Sequence, residues 1–151
     1  MPVDLSSLRI YTDGTQDNRR WADFNHRPDD IFVRTPAKSG TTRTQTIIAA
    51  LMWPDGQQPG AVSDMSIWID AKFSKAEDMH HRLEAQTHRR FLKTHTPADG
   101  IPWYAQAKYI YVARDGRDAF MSMCNHQERM KTEVLARIEG SSNKAPPPQD
   151  L

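Results

Sequence analysis

Cysteine is nearly missing from this chain. Cys124 stands alone among 151 residues, so no disulfide can close within it. That usage fits a reducing compartment, and a cytoplasmic location is the expectation. Long apolar runs are lacking too: none approaches the ~18 residues that a bilayer-spanning helix needs. The opening residues, Met-Pro-Val-Asp-Leu-Ser-Ser, hold no basic stretch followed by an apolar one, so no secretory leader is expected. Nor does one sign of charge dominate. Twenty basic residues face 19 acidic ones, for a formal net charge of +1. A global field that gathers nucleic acid or anionic lipid is therefore excluded, and only a local basic pocket is left open. Internal repeats are absent. So is any convincing metal cluster: His80, Glu84 and His88, four residues apart, read as a solvated polar face.

The length suits one domain, and a chain of this size buries roughly 70% of its extended surface. The hydrophobic share of 38% and charged share of 26% place it among globular proteins. The pattern predicts a first strand at Ile31–Thr35 and a helix from about Thr42 to Met52, with Thr44, Ile47, Ile48 and Leu51 near helical spacing. Trp53-Pro54-Asp55-Gly56 ends that helix, and residues 55–64 read as a loop. Ser74 with Glu77 three residues on forms a capping-box pattern, opening a helix over about 75–86. Phe91–Thr94 reads as a second strand and Tyr109–Ala113 as a buried third. Asp115-Gly116-Arg117-Asp118 leads into a helix reaching toward Ile138. Strands alternating with helices predict an α/β fold: a P-loop-type parallel sheet with flanking helices on both faces. The domain is assigned to residues 1–139. Residues 140–151, with Ser-Ser and Pro-Pro-Pro, read as a tail.

Three stretches carry chemistry. The first is Pro36-Ala37-Lys38-Ser39-Gly40-Thr41-Thr42, between the first strand and its helix. A turn there presents backbone N–H groups and the positive end of the helix to an anion, and Lys38, Ser39, Thr41 and Thr42 add charge and hydroxyls. The common nucleotide-hydrolase loop places its lysine after the glycine; here Lys38 comes before Gly40. The second is Lys93-Thr94-His95. Lys93 and His95 share one side of a strand, at the end where open α/β sheets bind ligands. Histidine there suits a general base, and neighbouring lysines disfavour the imidazolium. The third is Arg114 at a strand end with Ser122 on the next helix, a pairing suited to a second phosphate. Asp115 or Asp118 pairing with Arg114 or Arg117 is the structural alternative.

Together, in this order, the three stretches resemble the PAPS-dependent sulfotransferase family, of the soluble bacterial type; PAPS is 3′-phosphoadenosine-5′-phosphosulfate. The family's cofactor loop is matched by Pro36–Thr42. Its Lys-Thr-His strand, with a proline after, is matched by Lys93, Thr94, His95 and Pro97. Its Arg with a Ser eight residues on is matched by Arg114 and Ser122. The match spans roughly residues 30–125.

The resemblance implies a role for each position. Lys38 would bind the 5′-phosphosulfate and steady charge on the bridging oxygen. Ser39, Gly40, Thr41 and Thr42 would hold the 5′-phosphate. Arg114 and Ser122 would hold the 3′-phosphate. His95 would deprotonate an acceptor hydroxyl with Lys93 beside it, and no metal is called for. Arg43 stands where cytosolic members carry an aromatic that stacks on adenine, and a guanidinium also stacks on a base.

The acceptor implied is a hydroxyl on a small molecule or glycolipid, the segment from Arg89 to Gly100 resembling the glycolipid branch. Family domains are longer, so the chain resembles the N-terminal half of the fold, incomplete relative to the family. It is expected to be a fragment or short product, or to need self-association or another chain to complete its site. Two other functions stay open: a non-catalytic module binding PAPS or its bisphosphate product, and an ATP- or GTP-dependent phosphotransferase with Asp115 on Mg²⁺.

Among the remaining residues, Cys124 reads as an inert core thiol, and Met121, Met123 and Met130 as core filling. Trp53, Trp68 and Trp103 read as either pocket or core residues. Asp70 has spacing compatible with facing the site.

Overall fold

Three short runs of β-branched and aromatic residues pair into a parallel sheet of order β2-β1-β3: β1 is Ile31–Arg34, β2 Phe91–Thr94 and β3 Lys108–Tyr111. The computed structural model describes residues 6–129. The register sets Ile31 beside Phe91 and Lys108, and Phe32 beside Leu92 and Tyr109. Because side chains alternate along a strand, the two faces of the sheet collect different residues. Ile31, Val33, Phe91 and Ile110 point to one face. Phe32, Leu92 and Tyr109 point to the other.

Helices cover both faces. α1 (Thr41–Met52) and α2 (Val62–Met65) lay Ile48, Ala49, Met52 and Met65 on the first. α3 (Ala76–Glu84) lays Met79 and Leu83 on the second, beside Trp21 and Phe24. Trp21, Phe24 and Phe32 meet edge-on at 5.3–5.9 Å. Complete burial of a side chain such as Phe32 stabilises the fold by about 2–3 kcal/mol. α4 (Gly116–Arg129) follows β3. A single bridge adds to the edge of β2: Trp68 pairs with Lys93, with Lys93 N–H donating to Ile67 O (3.0 Å) and Ile69 N–H to Lys93 O (3.2 Å).

Several sequence expectations are corrected. The capping box does not form. Extended Lys75 occupies the N-cap of α3 without a side-chain cap bond, and Glu77 and Asp78 in the first turn instead favour the positive helix end. Within the expected loop 55–64, α2 begins at Val62. The buried stripe of α1 runs through Thr41, Gln45, Ile48 and Ala49, leaving Ile47 and Leu51 exposed. β3 is an edge strand, half open to solvent, and it ends at Tyr111.

α4 has no buried residue among those described, so Met121 is exposed and Cys124 only half-buried; neither fills a core. α3 stops at Glu84, which puts His88 off that helix. Met130, the reach toward Ile138 and the 140–151 tail lie outside the described residues.

Candidate functional site

At the C-terminal ends of the strands the chain opens a cavity of about 1420 Å³. Its floor is the turn between β1 and α1. Pro36 O accepts from Ser39 N–H (3.2 Å), and two residues take left-handed backbone: Lys38 at φ 62° and Gly40 at φ 104°. For glycine this is free of cost; for lysine it costs about 1–2 kcal/mol. Gly40 is the N-cap of α1, whose first turn contains neither a side-chain cap bond nor an acidic residue. The amides of Thr41, Thr42 and Arg43 therefore lack intrahelical acceptors and point at the cavity end, with the positive helix potential uncompensated. Buried Thr35 and Thr41 share a short hydroxyl–hydroxyl contact that ties the strand end to the helix start. Such a turn is able to hold an anion.

The cavity collects every site residue expected from the sequence. Lys38, Ser39, Gly40, Thr41, Thr42 and Arg43 line it from the turn and helix. Lys93 lines it from β2 and His95 from just past that strand's end, Arg114 from the turn after β3 and Ser122 from α4. Arg114 donates to Lys38 O (3.2 Å), which joins the first and third stretches directly. Its ion pair with Asp118 is long (3.9 Å) and exposed, so it competes weakly for the guanidinium. Asp115 is occupied otherwise: its Oδ1 accepts from Arg117 N–H (2.9 Å) and Asp118 N–H (3.4 Å), a helix-capping pattern.

Lys93 and His95 do share one side. Both pack on Trp68, the ammonium 4.9 Å above the indole and the imidazole edge-on at 4.7 Å. His95 Nδ1 lies 2.7 Å from Thr35 O. A carbonyl only accepts, so Nδ1 carries the hydrogen and Nε2 keeps its lone pair. Burial is the main reason the imidazole titrates below the ordinary histidine range; Lys93 and Arg34 push the same way, while Thr35 O and Asp70 oppose them. The lysine effect expected from sequence is real but secondary. Burial likewise lowers the Lys93 ammonium.

Sequence reasoning missed several lining residues. Asp13, Gly14, Thr15 and Gln16 form a polar rim, shaped by Asp13 Oδ1 accepting from Thr15 and Gln16 amides (2.6 and 3.0 Å). Phe73 makes an apolar wall with Trp68, which the sequence had offered as a pocket residue, and His126 reaches in from α4. Arg34, at the end of β1, lies over Tyr111 at 4.6 Å and donates to Thr96 O. No local pattern marks these residues; the Trp-x-Asp at 68–70 was the one available signal. Of the tryptophans considered, Trp68 alone lines the cavity: Trp53 packs beside α1 and Trp103 stacks on Tyr109 from outside. No His/Cys/Asp/Glu group suited to a metal ion occurs among the described residues.

Fold and site together define an α/β protein with an open cavity and an uncapped helix start at the end of a parallel sheet. Residues 28–147 match the sulfotransferase domain, and the chain belongs to that family. It is 38% identical over 144 residues to a glycolipid sulfotransferase of Mycobacterium bovis, covering 92% of this chain and 44% of that protein. The glycolipid sulfotransferase of Mycobacterium tuberculosis is 37% identical over 147 residues, with 94% and 45% covered. Retinol dehydratase, solved in a complex with retinol and PAP, shares the fold at TM-score 0.57 and 20% identity, covering 86% of this chain and 54% of that one. The chain thus spans less than half the length of these curated relatives. No helix among the described residues is long and apolar enough to cross a membrane.

Proposed function

We propose that this chain carries the donor-binding and proton-accepting half of a sulfotransferase that moves a sulfuryl group from PAPS to an acceptor hydroxyl. One observation carries the reading: residues from three separated stretches line a single cavity around an uncapped helix start. The donor's charges suit that lining. The first-turn amides, Ser39, Thr41 and Thr42 would hold the 5′-phosphate, Arg114 and Ser122 the 3′-phosphate, and Arg43 would lie against the adenine. Lys38 would face the oxygen bridging phosphorus and sulfur.

In the transfer, the acceptor oxygen bonds to sulfur as the bond from sulfur to that bridging oxygen breaks. His95 Nε2 takes the hydroxyl proton, and Lys38 meets the charge left on the bisphosphate. A fixed donor at developing charge is typically worth ~3–4 kcal/mol, and a positioned base ~10²–10⁴ in rate. Lys93, beside His95, adds positive charge at the sulfuryl end. The apolar wall of Trp68 and Phe73 with the polar rim at 13–16 suits an amphiphilic hydroxyl compound, and the names of the relatives support a glycolipid. Residues 1–139 are proposed as the family domain and 140–151 as a tail, working in the cytoplasm. A second chain or further polypeptide would complete the acceptor side.

Lys38→Ala and His95→Ala are expected to abolish transfer from radiolabelled PAPS to an alkyl glucoside. Near-normal turnover in either would overturn the mechanism. A second reading, a binding module without turnover, rests on the uncapped helix start alone, which needs no base to hold an anion. Calorimetry with adenosine 3′,5′-bisphosphate separates the two: binding without transfer favours the module, and no binding removes both.

A further inference from the structure

Asp70 takes no part in the scheme above, yet it is fully buried beside the reacting end of the cavity. Its two carboxylate oxygens accept four hydrogen bonds. Oδ1 receives Trp68 Nε1–H at 2.6 Å. Oδ2 receives Thr94 Oγ1–H at 2.5 Å, Thr96 Oγ1–H at 2.7 Å and Trp21 Nε1–H at 3.2 Å. Thr94 and Thr96 are the residues on either side of His95. Trp68 is the ring against which His95 packs and over which Lys93 lies. The Thr96 amide also donates to Thr94 Oγ1 (3.0 Å), drawing the strand end into a tight corner at the histidine. Thus one carboxylate holds both chain neighbours of the imidazole and the surface it leans on. Trp21 anchors the cluster in the main core.

We propose that Asp70 is a positioning residue: it locks the Trp68 indole to the Thr94–Thr96 corner and so aims His95 Nε2 at the acceptor hydroxyl. The proposal rests on His95 being the base. All four partners are donors, and the side chain accepts from each of them. A buried carboxylate is also the negative neighbour of the imidazole, set against Lys93 on β2 and Arg34 on β1; Lys38 and His126 line the same cavity. A base misplaced by about 1 Å can cost ~10²-fold in rate.

The test is Asp70→Asn in the full chain. An asparagine has one acceptor oxygen and a donating amide, so either Trp68 Nε1–H loses its acceptor, or Trp21 Nε1–H loses its own and the Thr94 and Thr96 hydroxyls must turn round to accept. The expected results are a fall in kcat of about 10²-fold with radiolabelled PAPS and an alkyl glucoside, and adenosine 3′,5′-bisphosphate affinity unchanged within about twofold. The NMR titration midpoint of His95 should move further down, because a negative neighbour is gone, and the Trp68 indole N–H signal should shift. A lower melting temperature with unchanged kcat per folded molecule and an unmoved His95 titration would overturn the proposal.

Should Asp70→Asn not fold, Thr96→Val decides. It removes one donor at constant volume. Slower transfer with intact bisphosphate affinity supports the proposal, and unchanged transfer overturns it. The readouts also separate the two readings. If His95→Ala keeps its activity, the base assignment falls on its own account, while the NMR shift still reports whether Asp70 governs the imidazole.

Discussion

Lys38 spends conformational energy to stand where it does. Its left-handed backbone turns its carbonyl to Arg114, while Gly40 two residues later starts the helix from the same region of backbone space. Lys38→Gly should therefore leave the melting temperature unchanged or raised, the relief of about 1–2 kcal/mol being partly offset by glycine's unfolded-state freedom, yet weaken bisphosphate binding by calorimetry. A combined loss of stability and affinity would contradict this account. Gly40→Ala has room, since an added Cβ would meet only Val112 Cγ1 at 4.0 Å. Its cost is conformational, about 1–2 kcal/mol, measurable by denaturant melts.

At His95, the sign of the pH effect follows from burial. The unfolded chain protonates this imidazole near the ordinary value of about 6.5, whereas the folded chain resists. Below that value the unfolded state binds more protons, so folding stability declines as pH drops toward the folded-state value. Melts of wild type and His95→Gln across pH should diverge in that window, with the wild type losing more.

The elements owe their placement to a few buried polar anchors as much as to apolar stripes. Arg90, at the entry to β2, meets Asp30, at the entry to β1, through Nε–Oδ1 at 2.8 Å and Nη2–Oδ2 at 2.7 Å, with both side chains fully buried. The pair aligns two strand starts, and Asp30 O also accepts from Lys108 N–H at the start of β3. Arg90→Ala would strand a buried carboxylate and should cost about 3–5 kcal/mol in denaturant melts. A loss under 1 kcal/mol would show the pair to be dispensable.

Strands β1 and β2 and helix α1 were legible because period and punctuation agree: a β-branched run, a proline, hydroxyls, then helical spacing. Arg90 stood out only as a member of the segment from Arg89 to Gly100, for nothing local reveals a partner 60 residues away. The Ser74 cap failed for a related reason. A capping box specifies spacing, but the packing of Met79 and Leu83 decides where the helix begins, and that set the N-cap one residue later. The faces of β3 and α4 were misjudged because apolar composition cannot say which side of the sheet is covered.

For the whole molecule, the donor site should couple to folding. Adenosine 3′,5′-bisphosphate at about a hundred times its dissociation constant would stabilise the chain by ~2.7 kcal/mol, a rise of several degrees in melting temperature for a chain of this size. A cooperative melt that does not move with ligand would argue against a donor site formed by this chain.

The sequence by itself determined the order strand, turn, helix, the basic and hydroxyl residue types at that turn, and the family. Those properties depend on neighbours within a few positions, where backbone sterics and charge act locally. Only the tertiary structure decided which distant residues join them: Asp70 on the threonines that flank His95, Trp68 against Lys93, the rim at 13–16, and Arg34 over Tyr111. These contacts arise from the parallel register and the burial of one face against another, and no short-range pattern encodes either.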